Sequence, residues 1–185
     1  MEVRGTAVLT VPLFVKTRFG KDNYRKWIQS LFPDSRRIMT DRIIGVHWYS
    51  LYESLIHPTE KICELFYNND IKGAWEAGEF SCEIAFKEVY HWLTRVKRPE
   101  LLIDKTSELL ITYYRPAALE VKECLHKRAI IHITEFPEAH PVVEARIAGW
   151  LKRALEFTGC KDVRVIITKS LANGDPVTEI INEWK

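Results

Sequence analysis

Three sets of residues have types and spacings that could do chemistry. Glu138, His140 and Glu144 lie close together and could clip a metal ion between two carboxylates and an imidazole. Glu76, Glu79 and Glu83 recur at spacings of three and four, which puts them on one helix face. Such carboxylates could do acid–base work if another element supplied a partner; without one they form a solvated face. His91 and Glu83 are the candidates for a general base on a small substrate. Each set also has a plainer reading. Glu144 falls in the first turn of a helix, where a negative charge suits the positive end of the dipole. The expectation is therefore no metal site, no catalytic residue and no cofactor.

The rest of the inventory narrows the function further. No G-x-x-x-x-G-K, G-x-G-x-x-G or G-x-S-x-G motif occurs, so nothing marks a phosphate-binding loop or a nucleophile elbow. The six histidines form no H-x-x-x-H or H-x-E pair. Cys63, Cys82, Cys124 and Cys160 are irregularly spaced, with no C-x-x-C, and read as reduced thiols that are mostly buried. With 27 Lys plus Arg against 25 Asp plus Glu, the net charge of +2 lacks the basic excess of a nucleic-acid binder. Met1-Glu2-Val3-Arg4-Gly5 lacks the basic and apolar stretches of a secretory signal. No apolar run approaches the roughly 20 residues that span a bilayer. A cytoplasmic protein without a membrane span is expected.

The elements that would position these residues can be read along the chain. Its 185 residues, 46% hydrophobic, suit one domain, 1–185. Segment 6–19 suggests a short helix closed by Gly20, and 22–32 a second one capped by Asp22. Ile43-Ile44-Gly45-Val46 reads as a loop or brief extended stretch, and a longer helix from Ser50 is broken or restarted at Pro58. Asn68-Asn69-Asp70 is a turn. Cys82, Ala85, Phe86, Val89 and Leu93 give helix 71–95 an apolar stripe. Gly73 and Gly78 in its first turns would permit close packing. Pro99 opens another helix, 100–113.

Beyond residue 115 the pattern changes. Strands are expected near 119–123, 129–134, 163–168 and 177–184, with a helix over 142–158 and Gly159 as its cap. Short turns make the paired strands antiparallel. The expected fold is α+β: a helical part, 1–115, packed on a four-stranded antiparallel ββαββ part, 116–185.

Several local motifs share their order with a known family. Val3-Arg4-Gly5 with Phe14-Val-Lys-Thr-Arg-Phe19-Gly20 resembles the start of a large paralogous family of uncharacterised proteins from myxobacteria and other deltaproteobacteria. Val46-His-Trp48-Tyr49, Gly78-Glu-Phe80-Ser81, Arg98-Pro99, Tyr113-Tyr114, Ala148-Gly149-Trp150, Gly159-Cys-Lys161-Asp162-Val163 and Gly174-Asp175 continue the likeness over nearly the whole chain. That family resembles the superfamily of heme–nitric-oxide-binding domains, 4-vinyl reductase domains and Bet3-like transport-complex subunits. The resemblance implies a helical bundle on an antiparallel sheet. It also implies that members hold heme, aromatic effectors or acyl chains between the two layers, or hold nothing and assemble with partners.

The family's functional residues transfer poorly. Heme-binding members carry a proximal His on the helix matching 79–95, where His91 is the candidate. It lies nine residues past Cys82, about 180° around the helix from the apolar stripe. Tyr90 occupies the ligand's slot. The propionate-binding Tyr-x-Ser-x-Arg should fall near 113, but the chain reads Tyr113-Tyr114-Arg115-Pro116-Ala117, without the Ser and with Arg115 out of register. Ser170 and Thr178 stand where some relatives place zinc-binding Cys, and a hydroxyl does not replace a thiolate. What remains is an apolar pocket lined by Trp75, Phe86, Tyr90, Tyr113, Tyr114 and Trp150, or else a core that these rings simply fill. The expected function is a non-enzymatic sensory or regulatory module that binds a small apolar ligand, without heme. The alternative is a homodimeric assembly or scaffold protein whose interface uses Trp27, Phe32, Trp48 and Tyr52.

Overall fold

The computed structural model describes residues 1–88 and 98–185. The chain opens on strand β1 (Glu2–Arg4) and helix α1 (Gly5–Ser30), followed by α2 (Pro33–Thr40) and β2 (Trp48–Ser50). A π-helical turn (Tyr52–Ile56) leads into α3 (His57–Tyr67), then α4 (Lys72–Glu88), α5 (Pro99–Asp104) and α6 (Thr106–Tyr113). The second part holds β3 (Tyr114–Arg115), β4 (Ala118–Leu125), β5 (Arg128–Glu135), α7 (Pro141–Phe157), β6 (Arg164–Lys169) and β7 (Thr178–Glu183).

The larger sheet has the order β4-β5-β7-β6, antiparallel throughout, with Ile131 opposite both Val121 and Ile180. This is the expected α+β, ββαββ architecture. Along β5, buried Ala129, Ile131 and Ile133 alternate with less buried neighbours, the period-2 signature of a strand with one face to the core. Ile180 of β7 joins that face. Val143, Leu151, Ala154 and Leu155 of α7 belong to the same continuous core. His140 starts α7 by accepting a hydrogen bond at Nδ1 from the Val142 amide, with Pro141 in the first turn.

The helical part departs from expectation in a second sheet and in one divided helix. It contains a second sheet, β2-β1-β3, in which Glu2 pairs with Ser50 and with Arg115. These strands of two or three residues are too short to show a period, and their partners are remote in sequence. Gly20 interrupts α1 with a non-helical backbone, φ 82° and ψ 178°, open to a residue without a side chain; the span is two helices joined across a kink, with the break where the sequence places it. The helix expected over 100–113 is split at Lys105 into α5 and α6. Asn68 and Asn69 both adopt positive φ, as the expected turn requires. Among the described residues, no helix is long and apolar enough to cross a membrane.

Candidate ligand-binding cavity

α4 and α7 cross with backbones in contact, and α6 closes over the crossing toward β3 and β4. The space left between them is a cavity of about 70 Å³. From α6 come Thr106, Leu109, Leu110 and Tyr113; from α7, Arg146, Ile147, Trp150 and Leu151. Ala7, Gly78, Ser81, Tyr114 and Leu119 complete the wall.

Of the six pocket residues expected from the sequence, the fold brings three together here: Tyr113, Tyr114 and Trp150. Tyr114 is buried and tilted against Phe136, with ring centroids 5.4 Å apart. Burial pushes its phenol pKa up, against a smaller opposing pull from Arg146. Phe86 stands behind the wall, 6.1 Å from Trp150 and stacked on Phe157 at 5.0 Å. Trp75 is near the start of α4, where its indole N–H donates to Glu79 Oε1 at 3.1 Å beside a surface groove. Both are corrections, and both follow from helix geometry. Trp75 is eleven residues before Phe86, which puts the two on nearly the same helical face but about 16 Å apart along the axis, so one small cavity cannot take both. Tyr90 lies outside the described residues, as does His91.

Three polar groups at the cavity went unrecognised in the sequence: Ser81, Thr106 and Arg146. The Thr106 hydroxyl donates to the Ile103 carbonyl at 2.6 Å. Arg146 is 3% exposed, and its Nη1 has no hydrogen-bond partner among the described residues. A sequence signal existed for it. Arg146 lies three residues after Val143 and four before Trp150, inside the apolar stripe of α7, where a charged residue is out of place.

The other candidates are structural. Glu144 does not meet Glu138 or His140; it is buried and accepts hydrogen bonds from the hydroxyls of Ser170 and Thr178 and from the Ala172 amide. Ser170 and Thr178 thus tie the β6–β7 connection to α7. Glu138 pairs with the Met1 amine, and His140 Nε2 lies 3.4 Å from Glu60. Among the described residues, no group of three His, Cys, Asp or Glu converges to hold a metal ion. Glu76 accepts from Tyr67 and Arg18, Glu79 pairs with Lys152, and Glu83 pairs with Arg153 at 2.9 Å. The acidic face of α4 therefore braces neighbouring helices. Burial raises the pKa of all four thiols, the opposite of a reactive cysteine.

The expected interface set is also divided. Trp27 is fully buried and donates its indole N–H to the Pro58 carbonyl at 3.0 Å, so it cannot form an exposed interface. Trp48 is half-buried between the guanidinium groups of Arg4 and Arg115, at 5.0 and 4.1 Å. Phe32 and Tyr52 remain exposed, at 55% and 43%.

No protein-family model matches the chain, and no curated protein does. Solved structures do. The chain is similar to an H-NOX protein from S. oneidensis in the Fe(II)NO ligation state, with a TM-score of 0.74 at 12% identity, covering 98% of this chain and 99% of that one. It is also similar to an Fe(II) unliganded H-NOX protein from K. algicida (TM-score 0.72, 10% identity, 98% and 96% covered) and to a mutant of T. tengcongensis H-NOX (TM-score 0.71, 13% identity, 98% and 97% covered). At such identities the likeness shows the fold, which is H-NOX-like. The described residues that line the cavity supply no usual ligand for heme iron. Among the described residues no histidine or cysteine lines it, and burial disfavours a phenolate at Tyr114. Its volume of about 70 Å³ is also well below the roughly 300–1,000 Å³ of pockets that enclose large ligands.

Proposed function

We propose that this chain, with its H-NOX-like fold, is a non-enzymatic sensory or regulatory module that holds a small, largely apolar molecule, without heme, between α6, α7 and the sheet. The cavity is the observation that carries this reading. This void is lined by leucine, isoleucine and aromatic side chains with a few polar groups, the composition of small-molecule sites. The resemblance to the myxobacterial paralogous family and to effector-binding 4-vinyl reductase domains supports the same function. The pairing of Glu83 with Arg153 supports a role without catalysis, because a general base must be free to reach a substrate proton.

Thermal unfolding with a panel of small alcohols, amides and carboxylic acids tests the reading. The expected result is a rise in Tm with at least one compound, abolished in Leu110→Trp, which fills the cavity. No response to any of them in the native protein overturns it.

One observation favours the alternative, a homodimeric assembly or scaffold protein with no small-molecule ligand. The Phe32 ring lies flat on the imidazole of His57, with centroids 4.0 Å apart, and Tyr52 flanks the same imidazole at 6.2 Å. The two exposed rings make a rigid apolar patch of the kind that interfaces use. Light scattering should then show a dimer that Phe32→Ser dissociates. A monomer at high micromolar concentration removes this reading.

A further inference from the structure

Arg146 carries a charge in a place where the described residues give it no counter-charge. Its Nη2 reaches Thr10 Oγ1 at 3.5 Å, the outer limit of a hydrogen bond, and that hydroxyl already donates to the Ala7 carbonyl at 2.6 Å. Nη1 is buried without a partner among the described residues. Among the described residues, the titrating groups that act on the guanidinium are Tyr114 and Cys63. Burial raises the pKa of both, so near neutral pH both are uncharged. A buried guanidinium without an anion is costly, and proteins seldom leave one in that state.

We propose that the missing anion is the ligand, and that the cavity takes a short aliphatic monocarboxylate: its carboxylate on Arg146, its apolar end among Leu110, Ile147 and Leu151. The proposal rests on the cavity being a ligand site and adds the chemical class. Charge and donor geometry supply the head group. The planar guanidinium presents paired N–H donors that match the two oxygens of a carboxylate. Tyr114, kept protonated by burial, adds an O–H donor on the same wall. Size sets the tail. A void of about 70 Å³ is roughly half the ~150 Å³ that holds the six carbons of benzene, which leaves room for about three to four non-hydrogen atoms, the size of acetate.

The probes are acetate and its neutral analogues acetamide and ethanol, titrated at pH 7 and constant ionic strength into the native protein, Arg146→Met and Arg146→Lys. Calorimetry and thermal unfolding are the readouts. Acetate should bind at least tenfold more tightly than acetamide. Arg146→Met should erase that preference, and without ligand it should melt above the native protein, because it removes an unpaired buried charge. Arg146→Lys should keep a weaker preference, having the charge but not the fork. Equal binding of all three probes, untouched by Arg146→Met, overturns the carboxylate proposal and leaves the cavity reading standing. An equal response to chloride at the same concentration also overturns it, as does a ligand-free Arg146→Met that melts several degrees lower. Binding of none of the probes overturns both. If Arg146→Met fails to fold, the native acetate–acetamide comparison and Arg146→Lys decide.

Discussion

Gly78 of α4 lies against the backbone of Arg146: a Cβ built on it would stand 2.1 Å from the Arg146 carbonyl oxygen. The relation is reciprocal, since a Cβ on Gly149 of α7 would stand 2.2 Å from the Trp75 carbonyl oxygen. Two glycines thus let the helices touch at a crossing that is also a wall of the cavity.

Alanine at either position should therefore be destabilising. In a helix interior, Gly→Ala normally gains about 1 kcal/mol. Here the added methyl meets backbone, which cannot turn aside as a side chain can. Overpacking of about 3 kcal/mol or more should outweigh the propensity gain and leave a net loss of about 2 kcal/mol. Urea unfolding of Gly78→Ala and Gly149→Ala measures this as a lowered midpoint at constant m-value. A midpoint equal to the native one would mean that the helices separate without cost.

Glu144 should be a structural keystone of the β6–β7 connection. Its oxygens accept from Ser170, Thr178 and Ala172, and the Ser170 hydroxyl also accepts from the Asn173 amide. Replacing Glu144 by Gln keeps the shape but turns an amide N–H₂ toward hydroxyl donors. The loss should be about 2–3 kcal/mol, the range for buried hydrogen bonds to a charged group. Thr178→Val should cost less, since one donor goes with its site. Chemical denaturation orders the two, and the reverse order would contradict this network.

The same residues show how far the sequence could be read. The ββαββ part was legible because its strands are β-branched runs bounded by Pro137, Pro141, Gly159 and Asn173-Gly174, each a local signal. The β2-β1-β3 sheet was not legible, since Glu2 meets Ser50 and Arg115 only through the tertiary fold. Tyr113, Tyr114 and Trp150 were found as aromatic residues at element ends and stripes. Trp27 and Trp75 were misplaced because type and period say that a ring is buried or exposed but not against what. Arg146 went unread because a lone arginine on an amphipathic helix usually reaches solvent.

His57 should make stability fall on mild acidification. Its Nδ1 is 2.9 Å from Ser35 Oγ, and Nε2 is buried without a partner among the described residues. Burial first, then the charge on Lys61, lowers its pKa, with Glu64 opposing. The unfolded chain takes up a proton near the ordinary value of about 6.5, while the folded one resists until lower pH. Protons then favour the unfolded state, so stability declines as pH drops below about 6.5 toward the lowered folded value. His57→Gln should flatten Tm between pH 7.5 and pH 5. An unchanged slope would place the effect elsewhere.

Glu179 should govern a separate, more acidic window. Its carboxylate accepts from Thr168 Oγ1 at 2.7 Å, lies 2.7 Å from His132 Nε2 and pairs with Lys169 at 3.2 Å. These partners, Thr168 foremost, lower its pKa to about 2. In the unfolded chain the group protonates near the ordinary value of about 4.3. The stabilisation is therefore complete above that value and is lost as pH falls from about 4.3 toward 2. Glu179 sits on β7 between β5 and β6, so its protonation loosens contacts to both neighbours at once. Glu179→Gln should lower stability at pH 6 and have little effect at pH 2.5, so that the two acid-unfolding curves converge. Because the site is near the surface, 1 M NaCl should shrink the difference at pH 6. Parallel curves across the whole range would show that Glu179 contributes no ionic stabilisation.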